Sequence, residues 1–391
     1  MKSKIFLAVL YLFANTLFAQ FSKNIEISSW YDDNLYRSPN PLADVLTNLS
    51  IQLDYQPENS AVKYYYNGSF YRYNENALRN FSLHGLGLNY ANSFGEEGKH
   101  MVYLGGDGTF RNNDEVYNYY DYNQLYGYAN FRFKLNRFFL KTGYSFRFRS
   151  YNNLPDLTNT RHIIFVQANK SFPTRTTVIL EADLGYKYFT GREIYTTVSG
   201  EDSFVRGSGR IGGRFSTSQY VSSIAEIPSL SQAIILARVT QSLHQKLGLY
   251  VQYRRQFGLA TEGNYTNSED YYQDEELFDD PFSYASESIS TQLTWMLPRS
   301  TKLQIGGALV GKEYLQEQAY VSAEDTLATG GDRSDDYNSV YLNLSKTFNV
   351  NKSWLKSLYF SVYYNYIQNE SNSYWYDYKN AVSGAGIRWN F

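Results

Sequence analysis

The sequence of 391 residues contains no cysteine, which excludes a disulfide scaffold, a thiolate metal site and a cysteine nucleophile. It has only 8 prolines, and an aromatic content of 18% excludes a disordered chain. Lys and Arg total 36 against 38 Asp and Glu. Because binding to nucleic acid depends on clustered positive charge, we expect no nucleic-acid partner.

The first 19 residues have the pattern of a secretory signal peptide. Lys2 and Lys4 precede a short apolar run, and Ala19 occupies the position of the small residue at a cleavage site. After this segment no apolar run approaches the roughly 20 residues that a membrane-spanning helix needs. We therefore expect residues 1–19 to be removed and residues 20–391 to function outside the cytoplasm.

Alternating apolar and polar residues recur along the whole remaining sequence. Near residue 147, for example, Phe146 and Phe148 alternate with Arg147 and Arg149. Because successive side chains of a β-strand point to opposite faces, this pattern gives a strand one apolar and one polar face. We predict about sixteen such strands, with about fourteen as the alternative number.

The connections between the predicted strands alternate in length. The sequence predicts tight turns at 136–137, 173–175, 244–245 and 298–300. It predicts longer loops at 150–160, 190–230, 258–283 and 314–336. Short periplasmic turns and long extracellular loops are typical of outer-membrane barrels. We therefore predict an all-β fold, a transmembrane antiparallel up-and-down β-barrel formed by residues 20–391.

The last predicted strand supports this location. Trp389 and Phe391 lie on its apolar face, and a final amphipathic strand with an aromatic end resembles the carboxy-terminal assembly signal of bacterial outer-membrane barrels. The resemblance implies recognition by the barrel-assembly machinery of a Gram-negative bacterium. We expect outer-membrane lipid and lipopolysaccharide to surround the protein.

A short motif follows the first predicted strand. Residues 31–39 read Tyr-Asp-Asp-Asn-Leu-Tyr-Arg-Ser-Pro. This motif is similar to the opening of porin-like barrels, a family that includes members associated with polysaccharide secretion. The Ala19-Gln20 end of the signal peptide and the frequent Tyr and Asn resemble proteins of the Bacteroidetes group. The resemblance implies the class of protein and no catalytic residue. It leaves the solute and the oligomeric state open.

A barrel of about sixteen strands is wide enough to enclose an aqueous channel. We expect passive diffusion of small hydrophilic solutes, with anions and saccharides as candidate classes. Rings of basic side chains in a pore favour anions. The pore-lining candidates are Arg132, Lys134, Lys141, Arg147, Arg149 and Lys187. The alternative is that these cations pair with acids across the lumen and only keep it polar.

The loop predicted at 190–230 carries a second basic set. Arg206, Arg210 and Arg214 lie four residues apart in a glycine-rich stretch. A long barrel loop that folds inward narrows the pore, so these arginines are candidates for a constriction that attracts anions. The alternative is an extracellular loop without a role in the pore.

Other functions remain as alternatives to a channel. A hydrolase at the barrel rim requires a histidine with suitable partners, and only His162 is predicted near the rim. We therefore expect no enzyme and no cofactor. The acidic segment 269–280 lacks the ligand spacing of a calcium loop, so no metal site is predicted. Polysaccharide export, and a structural or adhesive role of the long loops, stay open.

Overall fold

The alternating sequence forms regular strands throughout the computed structural model, which describes residues 21–190, 194–197, 222–225, 230–259, 280–352 and 354–391. The first nine strands are β1 (Phe21–Asp32), β2 (Asp44–Tyr55), β3 (Val62–Tyr73), β4 (Phe81–Phe94), β5 (His100–Asn113), β6 (Tyr122–Lys134), β7 (Phe139–Tyr151), β8 (Asn159–Ser171) and β9 (Thr176–Phe189). Two short strands, β10 (Ile194–Thr197) and β11 (Ser222–Ala225), pair with each other in a separate sheet. The last seven strands are β12 (Leu230–His244), β13 (Leu247–Gly258), β14 (Tyr284–Leu297), β15 (Thr301–Gln318), β16 (Asp332–Lys352), β17 (Leu355–Ser371) and β18 (Tyr378–Asn390).

All strands except β10 and β11 join in one closed antiparallel barrel of sixteen strands. Each barrel strand pairs with the preceding and the following one, and β1 pairs with β18 to close the wall. The predicted fold class and strand number are therefore confirmed. The described residues contain no helix that is long and apolar enough to cross a membrane.

The two ends of the barrel differ. The predicted tight turns are present at one end, which we call the short-turn end, and the wall begins and closes there at Phe21 and Asn390. The other end, the long-loop end, carries short 3-10 helices at Ala77–Arg79, Glu115–Tyr120, Pro155–Leu157 and Tyr374–Tyr376. The predicted loops 190–230 and 258–283 lie largely outside the described residues.

One predicted boundary is wrong. The sequence predicted a loop at 314–336, but β15 continues to Gln318 and β16 already begins at Asp332. These strand ends carry charged side chains on both faces, Lys312 beside Glu313 and Asp335 beside Asp336. The alternation that identified the other strands is therefore lost. The regular pairing ends at Glu313 and Ser334, and a register shift separates it from the pair of Gln318 and Asp332.

The outer face of the wall is apolar. Exposed outward side chains include Leu86, Leu184 and Leu309, which a membrane would cover. Aromatic side chains lie near both ends of the strands, with Trp295 towards the short-turn end and Tyr188 towards the long-loop end. This placement agrees with the two aromatic girdles of membrane barrels.

The inner face is buried near the long-loop end. On fourteen barrel strands an inward side chain near this end is at most 8% exposed. These side chains form the buried belt: Asp44, Tyr73, Arg111, Tyr122, Tyr151, Asn159, Lys187, Gln232, Gln256, Ser286, Tyr314, Asp335, Asn369 and Asn380. Neighbours within the wall cannot bury such polar groups alone, and described loop residues such as Tyr117 and Tyr120 fold inward over part of the belt.

Aromatic side chains from the loops form this cover. Tyr117 and Tyr120, here named the tyrosine lid, come from the Glu115–Tyr120 helix and pack on Tyr122 and Tyr151 of the belt. Two smaller clusters cover other parts of the belt. The first packs Phe282, from the chain before β14, on Phe189 and Leu230 at the ends of β9 and β12, and the second is Trp375 with Tyr376.

The loop 319–331 is organised by one carboxylate. Asp325 accepts hydrogen bonds from the backbone N–H groups of Val321 at 3.0 Å, Leu327 at 3.1 Å and Thr329 at 2.8 Å. The hydrogen bonds from Thr329 and Val321 lower the pKa of Asp325 from 3.8 to about 2. Because the folded pKa is depressed, the stabilisation is complete above pH 3.8 and is lost as the pH falls through about 2.

We expect Asp325→Asn to loosen this loop at neutral pH, because an amide accepts fewer and weaker hydrogen bonds than a carboxylate. Limited proteolysis of the folded barrel measures the change as faster cleavage within 319–331. Glu324→Gln is the matched control, since it removes a neighbouring charge without touching these bonds. Equal cleavage of the two variants would contradict the role of Asp325.

Candidate lumenal site

The predicted pore-lining cations all lie on inward faces, but at two heights. The first set, here named the lower cations, lies towards the short-turn ends of β6 and β7 and consists of Arg132, Lys134 and Lys141, of which Arg132 pairs directly with Lys141. The second set, the upper cations, lies towards the long-loop end and consists of Arg147, Arg149 and Lys187. The alternation of the sequence does not separate these two levels.

Two of the upper cations, Arg147 and Arg149, contact side chains of the neighbouring strands β8 and β6. Arg147 donates to Asn159 at 3.1 Å, and Arg149 donates to Gln124 at 3.0 and 3.1 Å. Arg149 also stacks 4.2 Å from the centre of the Tyr122 ring. These contacts give the upper cations a role in packing.

Lys187 forms an ion pair with Asp280, and both groups are almost completely buried. Asp280 is the one residue of the acidic segment 269–280 that the structure describes. The pair joins the wall to the chain before β14, across 93 residues of sequence. Lys187 is therefore paired with an acid of the chain that precedes β14.

Two of the lower cations, Arg132 and Lys141, border a pocket of about 510 Å³ in the inner wall. Its lining is Tyr103, Asn130, Phe131, Arg132, Lys141, Ile163, Phe165, Gln167, Glu181 and Asp183. The register places Arg132, Lys141, Gln167 and Glu181 in one row across β6 to β9. Two cations therefore stand on one side of the pocket and two carboxylates on the other.

Buried arginines outside the predicted set were missed by the sequence reasoning. Arg79 stacks 4.2 Å from the centre of the Tyr36 ring and 4.8 Å from that of Tyr117. Arg111 stacks 4.1 Å from the centre of the Phe81 ring. Each stack joins residues from different strands or loops, and no local sequence signal identifies it. Arg206, Arg210 and Arg214 lie outside the described residues.

The motif at residues 31–39 closes the barrel seam between β1 and β18. Asn34 donates to the carbonyl oxygens of Ser38 and of Lys379, both at 2.9 Å. Asp33 accepts the backbone N–H of Ala381 at 2.6 Å, and Asn380 donates to Asp32. The motif therefore has a structural explanation at the seam.

His162 lies on the outward face of β8, away from the lumen. Its Nδ1 is 2.7 Å from the hydroxyl oxygen of Tyr144. The rings of Phe146 and Tyr186 flank it, at 5.2 and 6.4 Å between ring centres. His84 has the same arrangement on β4, with Tyr66 at 2.8 Å. Both histidines belong to the outer aromatic surface.

The fold is that of bacterial outer-membrane β-barrels, and solved structures of this class are similar to it. OccAB1 of Acinetobacter baumannii superposes with a TM-score of 0.51 at 9% identity, covering 95% of this chain and 96% of that chain. OccK8 (OprE) of Pseudomonas aeruginosa gives a TM-score of 0.48 at 8% identity, covering 95% and 98%. OmpT of Vibrio cholerae gives 0.46 at 11% identity, covering 95% and 97%. No family model and no curated protein matches the sequence. At these identities the likeness shows the fold alone.

Proposed function

We propose that the protein is a porin-like channel of a Gram-negative outer membrane, which passes small hydrophilic solutes with a preference for anions. The observation that carries the proposal is the contrast between the two faces of one closed wall, apolar outside and polar inside. A barrel of sixteen strands is wide enough for an aqueous path. In this proposal residues 1–19 direct export, and Trp389 with Phe391 contributes the assembly signal.

The inward loops give this channel a narrow outer mouth. The long-loop end faces the cell exterior in the proposed orientation, and its belt is covered by loop side chains. Arg132, Lys134 and Lys141 line the wider part below. A constriction by Arg206, Arg210 and Arg214 remains a prediction.

We also propose that the barrel is not an enzyme. The candidate histidine, His162, faces outward and hydrogen-bonds to Tyr144, so it lies on the side of the wall opposite the lumen. Saccharide export and adhesion have no such specific support in the described residues. Lipid and lipopolysaccharide are the proposed surroundings.

The test is planar-bilayer conductance of the refolded protein in asymmetric salt. We expect stable ohmic steps and a reversal potential that shows anion preference. Replacing Arg132, Lys134 and Lys141 by Gln should shift the reversal potential towards cations, because it removes the lower basic side chains. The control is Lys63→Gln, which removes a cation paired with Asp54 at 3.1 Å. Inserted protein without conductance would overturn the proposed function.

A further inference from the structure

We infer that the pocket between β6 and β9 is a binding site for zwitterions with an apolar side chain, in particular short peptides. This inference rests on the proposed channel function, since the site lies on the solute path, and it names a substrate class for that path. Three features of the pocket support the inference: its separated charges, its apolar floor and the distance between its two charged sides.

The charges form two opposed groups. Arg132 and Lys141 are direct cross-strand neighbours on β6 and β7. Glu181 and Asp183 lie on β9, two strands beyond Lys141. Among the ion pairs of the described residues, none joins the cationic group to the anionic group across the pocket. A ligand that carries both charges can therefore neutralise both sides at once.

The strand between the two groups supplies the apolar floor. Ile163 and Phe165 point inward from β8 and line the pocket. Phe165 pairs with Gly143, where an added Cβ would lie only 2.6 Å from the Phe165 ring. The glycine therefore leaves room for the Phe165 ring beside β7. Such a surface suits an aliphatic or aromatic side chain better than a sugar hydroxyl or a bare inorganic anion.

Neighbouring polar groups position the anionic side. Gln167 lies between Lys141 and Glu181 in the same row and donates a hydrogen bond to Glu181. Arg254 of β13 approaches the carboxylates from beyond the pocket. Its guanidinium donates to Gln256 at 2.7 Å and to Ser286 at 3.5 Å. Glu181 is therefore held beside the pocket by Gln167, and Asp183 lines the pocket next to it.

The dimensions match a dipeptide. Neighbouring strands are about 4.8 Å apart, so the backbones that carry Lys141 and Glu181 are separated by about 10 Å. Two extended residues span about 7 Å, which leaves room for the side chains of the protein to reach the peptide termini. The carboxylate of the peptide would face Lys141 and Arg132, and its ammonium group would face Glu181 and Asp183. The pocket volume of about 510 Å³ lies within the usual range for small-ligand sites.

Binding of three related ligands to the full-length protein in detergent tests the inference by isothermal titration calorimetry. The probes are alanyl-leucine, its N-acetyl form, which lacks the ammonium group, and its amide, which lacks the carboxylate. We expect alanyl-leucine to bind at least about tenfold more tightly than either blocked form, since each loses one charge-assisted interaction. Equal binding of the three would overturn the inference.

Variants locate the site. Lys141→Met should weaken alanyl-leucine about tenfold and leave the amide unchanged, while Glu181→Gln should weaken alanyl-leucine and leave the N-acetyl form unchanged. Lys302→Met is the matched control, because Lys302 is an inward cation of β15 that does not line the pocket. An effect of Lys302→Met equal to that of Lys141→Met would overturn the assignment.

Binding and conductance separate the two proposals. Selective binding of alanyl-leucine to a protein that inserts but does not conduct would support the binding site and overturn the channel function. Conductance together with equal binding of the three probes would support the channel function and overturn the zwitterion site.

Discussion

Replacing both residues of the tyrosine lid, Tyr117 and Tyr120, by Ser is expected to raise the single-channel conductance several-fold. Both rings are buried against the inward side chains Tyr122 and Tyr151. Losing two buried aromatic side chains removes about 3 to 6 kcal/mol of burial free energy. The Glu115–Tyr120 segment then no longer packs over the lumen, so the outer mouth widens.

The measurement is conductance in planar bilayers with symmetric salt, and the matched control is Val116→Ser. Val116 belongs to the same short helix, but its side chain is exposed, so its removal leaves the lid in place. Both proteins must first show the electrophoretic shift on heating that marks a folded barrel. Unchanged conductance of the folded double variant would show that the lid lies beside the conducting path.

Arg333→Met is expected to lower the free energy of unfolding more than Arg255→Met or Arg333→Lys. Arg333 is almost fully buried, donates to Glu317 at 3.1 and 3.2 Å, and donates to Asp335 at 3.0 Å. It also stacks between the rings of Tyr314 and Tyr376, at 3.9 and 3.2 Å from their centres. Removing the cation leaves two buried carboxylates without their charge partner, which costs about 3–5 kcal/mol.

Urea unfolding in detergent micelles measures this loss, and the barrel supplies a matched control. Arg255 pairs with Glu287 on the outer surface, where both side chains are about half exposed. Arg255→Met should change the free energy of unfolding by no more than about 1 kcal/mol. Arg333→Lys retains the charge without the planar fork, so its loss should lie between the two. Equal losses for Arg333→Met and Arg255→Met would contradict the assigned role of Arg333.

The wall could be predicted from sequence because a barrel strand is determined locally. Phe146 and Phe148 face outward and Arg147 and Arg149 face inward, as their alternation requires. The same rule failed near Gln318, where the strands extend beyond the apolar band and both faces are polar. Apolar and polar residues alternate only where one face of a strand contacts an apolar surrounding. The part of a strand that extends beyond this surrounding therefore cannot be recognised from the alternation.

The interior could be predicted only in part. The sequence assigned the inward face to Arg132 and Lys187 alike, yet Arg132 lines the pocket and Lys187 is buried against Asp280. That difference depends on which loop folds inward, and the partner lies 93 residues away. The stacking of Arg79 on Tyr36 and Tyr117 depends in the same way on three separate loops. Such contacts have no local periodicity from which to predict them.

The seam contacts of residues 31–39 bear on the order of folding. The amide of Asn34 donates to the carbonyl of Lys379, 345 residues later in the chain. Closing such a distance is slow compared with pairing of adjacent hairpins. The opening motif therefore acquires its hydrogen bonds to β18 only after translation and strand pairing have reached that strand. Its ordering is a late event that accompanies completion of the ring, and an amino-terminal fragment would lack it.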